Sequence, residues 1–349
     1  MPNELKLMFA DKLETHDVST LASTCREMNN LLLRFMYRRA KDSTAECGRS
    51  YFLLAVDVGN LTAVERFIEV GASVNMTDRI MGFPETAIHS CAYYGHVEIA
   101  EFLINKGIDV SFVDSVGNRA MHSVLAGVNP KEAMMTLLVE AGADMTATWN
   151  SHTPLHEAAA TGNIRMVQCL LELGADTNAA DPGGLRPVHV AAGYSNGATV
   201  RCLLEAGQDI EIADNLGRTP LHAAVEGQRI ENVKVLLEMG ADASSVDRRG
   251  WTPLLYAVYL NGNEASIHRI LHLGASMADQ PREIQMYEAE TDTPDCVPSC
   301  QLEEPNDMIV EMLLAAGADI TMLDDESRRS PLRWAAARAQ TTCFGPQGA

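Results

Sequence analysis

The chain has 349 residues, 46% of them hydrophobic but only 5% aromatic, and a formal net charge of −20. That length allows two or three ordinary domains or one elongated array of repeats, and the low aromatic content suits close-packed helices better than sheet sandwiches. The surplus of acid repels phosphate backbones and anionic lipid surfaces, which excludes nucleic acid and membrane as expected partners.

The charge is unevenly spread. Residues 1–42 carry seven basic and six acidic side chains, so the excess acid belongs to the rest of the chain. Asp11, Glu14 and Asp17 interrupt the N-terminal region, which has neither a basic leader followed by an apolar core nor a spanning segment. A soluble protein of the cytoplasm or nucleus is expected, a monomer on its own, with its eight cysteines reduced. Cys296 and Cys300 have a spacing that could serve a metal, but no second pair of Cys or His accompanies them, so neither metal nor cofactor is expected.

In chain order, the first element is a helical segment. Leu5, Met8, Phe9 and Leu13 recur at helical spacing; after a break at His16-Asp17, Leu21, Cys25, Met28 and Leu32 continue it, with Asp17 or Ser19 available as a cap. Some forty residues bury too little surface to stand comfortably alone, and Leu31, Leu33, Phe35 and Met36 leave apolar area over, so the module must dock on something. The string Pro2-Asn3-Glu4-Leu5, then Leu13, Asp17, Leu21-Ala22, Thr24-Cys25-Arg26 and Leu31-Leu32 resembles an F-box, although no Trp follows Arg26. That resemblance implies an F-box-like helical module over residues 1–44 that binds the Skp-type adaptor of a cullin-RING ubiquitin ligase. Pro2, Leu5, Phe9, Leu13, Leu21, Cys25 and Leu32 match the apolar positions with which the family packs and grips the adaptor. Burial of each larger one would contribute roughly 1.5–3 kcal/mol. The alternative is a helix pair that only caps the downstream repeats.

From residue 50 the chain repeats itself. Gly71, Gly107, Gly142, Gly174, Gly207, Gly240, Gly274 and Gly317 follow one another at steps of 36, 35, 32, 33, 33, 34 and 43. Upstream stands a tetrapeptide, clearest as Thr153-Pro154-Leu155-His156 and Thr219-Pro220-Leu221-His222, and degraded as Arg186-Pro187-Val188-His189 and Thr86-Ala87-Ile88-His89. Thr is suited to cap a helix with its hydroxyl, and Pro to the first helical position. Ala158-Ala159 and Ala191-Ala192 allow helices to approach closely. A second amphipathic helix, such as Met166, Val167, Leu170 and Leu171, stops at the glycine. Between units, Asp114 to Gly117, Asp181 to Gly184, Asp214 to Gly217 and Asp247 to Gly250 share a turn-forming spacing.

These residues resemble the ankyrin repeat over roughly residues 50–340. The fold expected is an all-α ankyrin-repeat solenoid, helix-turn-helix units with β-turn fingers, preceded by the F-box-like module. Seven repeats are assigned to 50–279, an acidic loop insertion with Pro281, Pro294, Pro298 and Pro305 to 280–307, divergent terminal repeats to 308–340, and a tail to 341–349.

His89, His122, His156, His189 and His222 occupy one place in successive repeats. Repeats lie about 10 Å apart, too far for equivalent side chains to share a zinc ion, and the resemblance implies that they lock turn to helix. No nucleophile elbow, phosphate loop or His-Glu-x-x-His motif occurs, and Asp324-Asp325 reads as a solvated turn, so no enzyme is expected. Interface-type residues collect on turns and first helices: Tyr93, Tyr94, Trp149, Tyr194, Arg248, Arg249, Trp251, Tyr256 and Tyr259 are the candidate contacts for a target protein. Together these readings suggest a substrate-recognition subunit, with a scaffold or inhibitor lacking any ligase role as the alternative.

Overall fold

A computed structural model describes residues 37, 38, 50–80, 83–114, 117–127, 131–261, 270, 305–325, 328–331, 333 and 334. They are helical with little strand, and fall into two compact units, one ending at Asn150 and the other beginning at Ser151. The adaptor-binding candidates Pro2, Leu5, Phe9, Leu13, Leu21, Cys25 and Leu32 lie outside the described residues, as does almost all of the expected 280–307 loop.

In the first unit, α1 (Tyr51–Asp57) starts where the Ser50 hydroxyl accepts from Leu53 N–H, and α2 (Leu61–Glu69) where Asn60 accepts from Ala63 N–H. Phe52, Leu53, Val56, Val64 and Phe67 are wholly buried between them. Tyr37, 2% exposed, sets its ring edge-on to Phe67 with centroids 4.7 Å apart, so the end of the N-terminal region adds an aromatic side chain to the core of the first repeat. The step of 36 from Gly71 to Gly107 accommodates a two-stranded antiparallel hairpin, β1 (Thr77–Ile80) and β2 (Phe83–Thr86), with Thr77 opposite Thr86. Then come α3 (Ala87–Tyr94), α4 (Val97–Asn105), α5 (Ala120–Ala126) and α6 (Glu132–Glu140). The first helix α3 packs on the first helix α5, and the second helix α4 on the second helix α6.

The second unit repeats the two-layer scheme with α7 (Pro154–Thr161), α8 (Ile164–Glu172), α9 (Pro187–Tyr194), α10 (Gly197–Glu205), α11 (Pro220–Glu226), α12 (Ile230–Glu238), α13 (Pro253–Asn261) and α14 (Pro305–Ala315). First helices α7, α9, α11 and α13 stack in order, as do second helices α8, α10 and α12. The second helices end on glycines in the left-handed region. Gly207, at φ +93 with open space where a Cβ would stand, owes its identity to backbone conformation alone.

The last described turns of the array pack directly on the repeat that α13 opens. Helix α14 begins at Pro305, three residues inside the expected loop, and packs on both α12 and α13. Its following turn donates Asp325 N–H to the carbonyl of Arg249, 2.9 Å away. Among the described residues, then, the repeat opened by α13 is closed by α14, and the turn at 324–329 is the direct neighbour of the turn at 247–251.

Candidate protein-binding surface

Four first helices, α3, α7, α9 and α11, are each tied to the turn after them by a histidine. The backbone N–H of Thr153 donates to His156 Nδ1 (3.3 Å), and the Thr153 hydroxyl lies 2.8 Å from the same nitrogen. With Nδ1 accepting, the proton sits on Nε2, which donates 3.0 Å to the carbonyl of Leu185, 29 residues on. His189 to Arg218 (3.0 Å) and His222 to Trp251 (2.9 Å) repeat this, and His89 reaches Asn118 at 3.4 Å. The expected cap bond from Thr to a backbone N–H is present at Thr252, which accepts from Leu255; at Thr86, Thr153 and Thr219 the hydroxyl pairs with the imidazole instead. Burial lowers the pKa of His89, His156, His189 and His222 and brings that of His122 down to about 4, which favours the neutral ring that this bonding requires.

The turns, or fingers, are held from within. Asp181 Oδ1 accepts from Leu185 N–H, Asp214 Oδ1 from Leu216 and Arg218 N–H, and Asp247 Oδ1 from Arg249 and Trp251 N–H, all at 2.8 Å. In the second unit neighbouring fingers bond to one another: Asn215 N–H to the Gly183 carbonyl and Arg248 N–H to the Leu216 carbonyl, both 2.9 Å. A Cβ on Gly184 would stand 2.6 Å from Asn215 N, so this ladder needs glycine there.

The target-contact candidates divide by burial. In the first unit Tyr93 and Tyr94 are 39% and 41% exposed, with rings edge-on at 5.1 Å, and Trp149 lies half-buried with its ring 6.3 Å from that of His122. In the second unit Tyr194 is 69% exposed at the rim of a recess of about 260 Å³ that His189, Asp214, Arg218 and Glu226 also line. Arg218 donates from Nε to Asp214 Oδ2 and from Nη1 to Glu226 Oε2, both at 2.8 Å. Burial pushes the Asp214 carboxyl up, but bonds from the Arg218 N–H and guanidinium outweigh it and leave the pKa lowered.

Trp251 and Tyr256 are buried, so their rings are packing residues rather than exposed anchors. Tyr256 donates its hydroxyl to Asp247 Oδ2 at 2.9 Å; burial and that carboxylate raise its pKa. Trp251 meets Tyr256 edge-on at 5.4 Å and Tyr259 at 4.8 Å; Tyr259 in turn meets Trp334 at 4.8 Å. Arg249 lies over the Trp251 ring (5.8 Å) and Arg329 over Trp334 (5.0 Å), an arrangement favourable to both cation and ring. Sequence reading missed Trp334, Arg218, Glu226 and Arg329, because nothing local marks partners brought together from different repeats.

A family model described as ankyrin repeats in three copies matches residues 52–148, 124–214 and 188–280, more than half of the chain. The chain belongs to the ankyrin-repeat family. Human NF-kappa-B inhibitor alpha is 32% identical over 28% of this chain and 32% of its own length, and the phosphocholine transferase AnkX of Legionella pneumophila 23% identical over 41% and 15%. The chain thus spans less than a third of these curated relatives. Among solved structures, the ankyrin repeat domain of human ASB11 aligns with TM-score 0.52 and 27% identity over 59% of this chain and 90% of that one. The ankyrin repeat domain of Bcl-3, a member of the IkappaB protein family, aligns with TM-score 0.53 and 27% identity over 60% and 95%.

Ankyrin repeats suggest a protein-binding scaffold, and the geometry shows how this one displays side chains. Histidine locks and aspartate brackets spend the buried polar groups on the backbone, which frees finger tips and first-helix ends for display. No helix among the described residues is long and apolar enough to cross a membrane.

Proposed function

We propose that this protein is a non-enzymatic adaptor, the substrate-recognition subunit of a cullin-RING ubiquitin ligase, acting in the cytoplasm or nucleus. Residues 1–44 hold the Skp-type adaptor through Pro2, Leu5, Phe9, Leu13, Leu21, Cys25 and Leu32, and the ankyrin array holds the target. The observation that carries this reading is the F-box-like string in the sequence, joined to a protein-binding array. Tyr37 packs on Phe67, so residue 37 is held against the first repeat, as both this reading and the capping alternative require. The protein's contribution is proximity, raising the effective concentration of target lysines near the charged ubiquitin carrier.

The similarity to a protein named as an inhibitor favours a second reading, a scaffold or inhibitor whose N-terminal helices only cap the stack. One pull-down separates them. The ligase reading expects the full chain to co-purify stoichiometrically with a Skp-type adaptor, and Leu5→Asp with Phe9→Asp to abolish this while far-ultraviolet circular dichroism stays unchanged. Failure of the wild-type chain to retain the adaptor would overturn it.

A further inference from the structure

In the second unit the turn at 247–251 neighbours the turn at 214–218 on one side and residues 324, 325, 328 and 329 on the other, and the exposed charged side chains described on them are four arginines and Asp325. Arg248 and Arg249 lie on one of them and Arg328 and Arg329 on the next, all four exposed, in a chain of net charge −20. The bond from Asp325 N–H to the Arg249 carbonyl joins these two turns side by side. Among the described residues, none of the four guanidinium groups makes an ion pair; Arg249 and Arg329 are instead propped over Trp251 and Trp334.

Of the described acids of these fingers, Asp214, Asp247 and Asp324 are occupied inwardly. Asp247 is spent on its own turn and on Tyr256, and Asp324 is buried, accepting from Trp334 Nε1 at 3.1 Å. At the bases of the turns Asp209, Asp242 and Asp319 accept the N–H of Glu211, Ser244 and Thr321. Asp325 alone is an exposed acid on the described part of the arginine-bearing fingers, beside Gly250. Apolar side chains stand among the arginines: Leu216 is 48% exposed, Val246 and Leu323 45%, and Met322 37%. A run of that kind, fixed on backbone-bonded turns, costs little ordering entropy when a partner covers it.

We infer that these fingers bind a segment of a partner protein in which carboxylates alternate with apolar side chains, the carboxylates pairing with Arg248, Arg249, Arg328 and Arg329 and the apolar groups covering Leu216, Val246, Met322 and Leu323. The inference deepens the reading of the repeats as target-holding and rests on it. Charge complementarity chooses the occupant: forked guanidinium groups match carboxylates bidentately. A nucleic acid would match the arginines but leave the apolar residues uncovered, and its long polyanion would meet the net charge of the whole chain.

The test is selection of a displayed random peptide library, inserts of about twelve residues, on the immobilised full chain and on its R248A/R249A/R328A/R329A variant. Peptides enriched on the wild type and lost on the variant should be net acidic and contain apolar residues, and each should bind the variant at least about tenfold more weakly in fluorescence anisotropy. The R248A/R328A variant, which leaves both arginine–tryptophan contacts in place, should show part of that loss and so separates charge from fold. Lost peptides of neutral or basic character, no difference between wild type and variant, no enrichment, tighter binding of a single-stranded oligonucleotide, or arginine-dependent self-association in light scattering would each overturn the proposal. The adaptor pull-down reads residues 1–44 and is unaffected by any of these results, so the two failures are distinguishable.

Discussion

Burial of His122 with a pKa of about 4, against 6.5 for the exposed group, ties stability to pH through a single side chain. Between those values the unfolded chain takes up a proton that the folded one refuses, so stability is complete above about pH 6.5 and falls as the solution is acidified. At pH 5.5 the loss from this residue is on the order of 1 kcal/mol, and the lowered pKa values of His89, His156, His189 and His222 add in the same direction. Glu157 opposes them. Burial raises its carboxyl to about 8, so between pH 8 and its ordinary 4.5 the folded chain holds a proton the unfolded chain has released, and acidification through that window stabilises. Glu157→Gln should therefore raise the urea midpoint at pH 7.5, lose most of that advantage by pH 5, and show a steeper acid decline than wild type. A variant midpoint that stays level from pH 7.5 to 5.5 would refute the histidine argument.

The finger is the element on which display depends, and Asp247 shows how much of it rests on one carboxylate. Two backbone N–H groups and the Tyr256 hydroxyl converge on that buried side chain. Asp247→Ala leaves those donors unsatisfied next to Trp251 and should cost about 3 kcal/mol in urea denaturation. Asp144→Ala removes an acceptor for Thr146 at an exposed turn, where water replaces the bond, and should cost less than about 1 kcal/mol. Equal effects would mean that burial does not set the value of these brackets. The finger and its two helices were legible in the sequence because Thr-Pro-Leu-His, the helix-ending glycine and the Asp-to-Gly turn each act through local backbone chemistry and recur in register. The hairpin at Thr77–Thr86 was not, since its strands follow from a locally lengthened spacing and carry no alternating pattern. The closing of the α13 repeat by α14 was hidden for the same reason: spacing reports chain length, not which helix fills a slot. At the candidate site the residue types were read as interface-prone, but Trp and Tyr bury as readily as they bind. Only the tertiary contacts separate exposed Tyr194 from buried Trp251 and Tyr256.

On the scale of the whole molecule, 47 acidic residues against 27 basic ones leave self-repulsion that the few ion pairs among the described residues do little to offset. Two of those pairs, Arg66–Glu69 and Arg201–Glu238, are solvent-exposed and contribute little. Added salt shortens the screening length from roughly 10 Å at 0.1 M toward 3 Å at 1 M, which weakens the many long-range repulsions more than the short buried bonds of the fingers. Raising sodium chloride from about 0.05 to about 0.5 M should therefore increase the melting temperature by a few degrees in calorimetry. Binding of an acidic segment to Arg248, Arg249, Arg328 and Arg329 should respond with the opposite sign, weakening over the same range as its attractions are screened. Because the fold strengthens where the contact weakens, loss of binding at high salt cannot be attributed to unfolding. A melting temperature that falls with salt would show that local ion pairs outweigh the net charge, and peptide binding indifferent to salt would leave the exposed Leu216, Val246, Met322 and Leu323 as the main source of affinity.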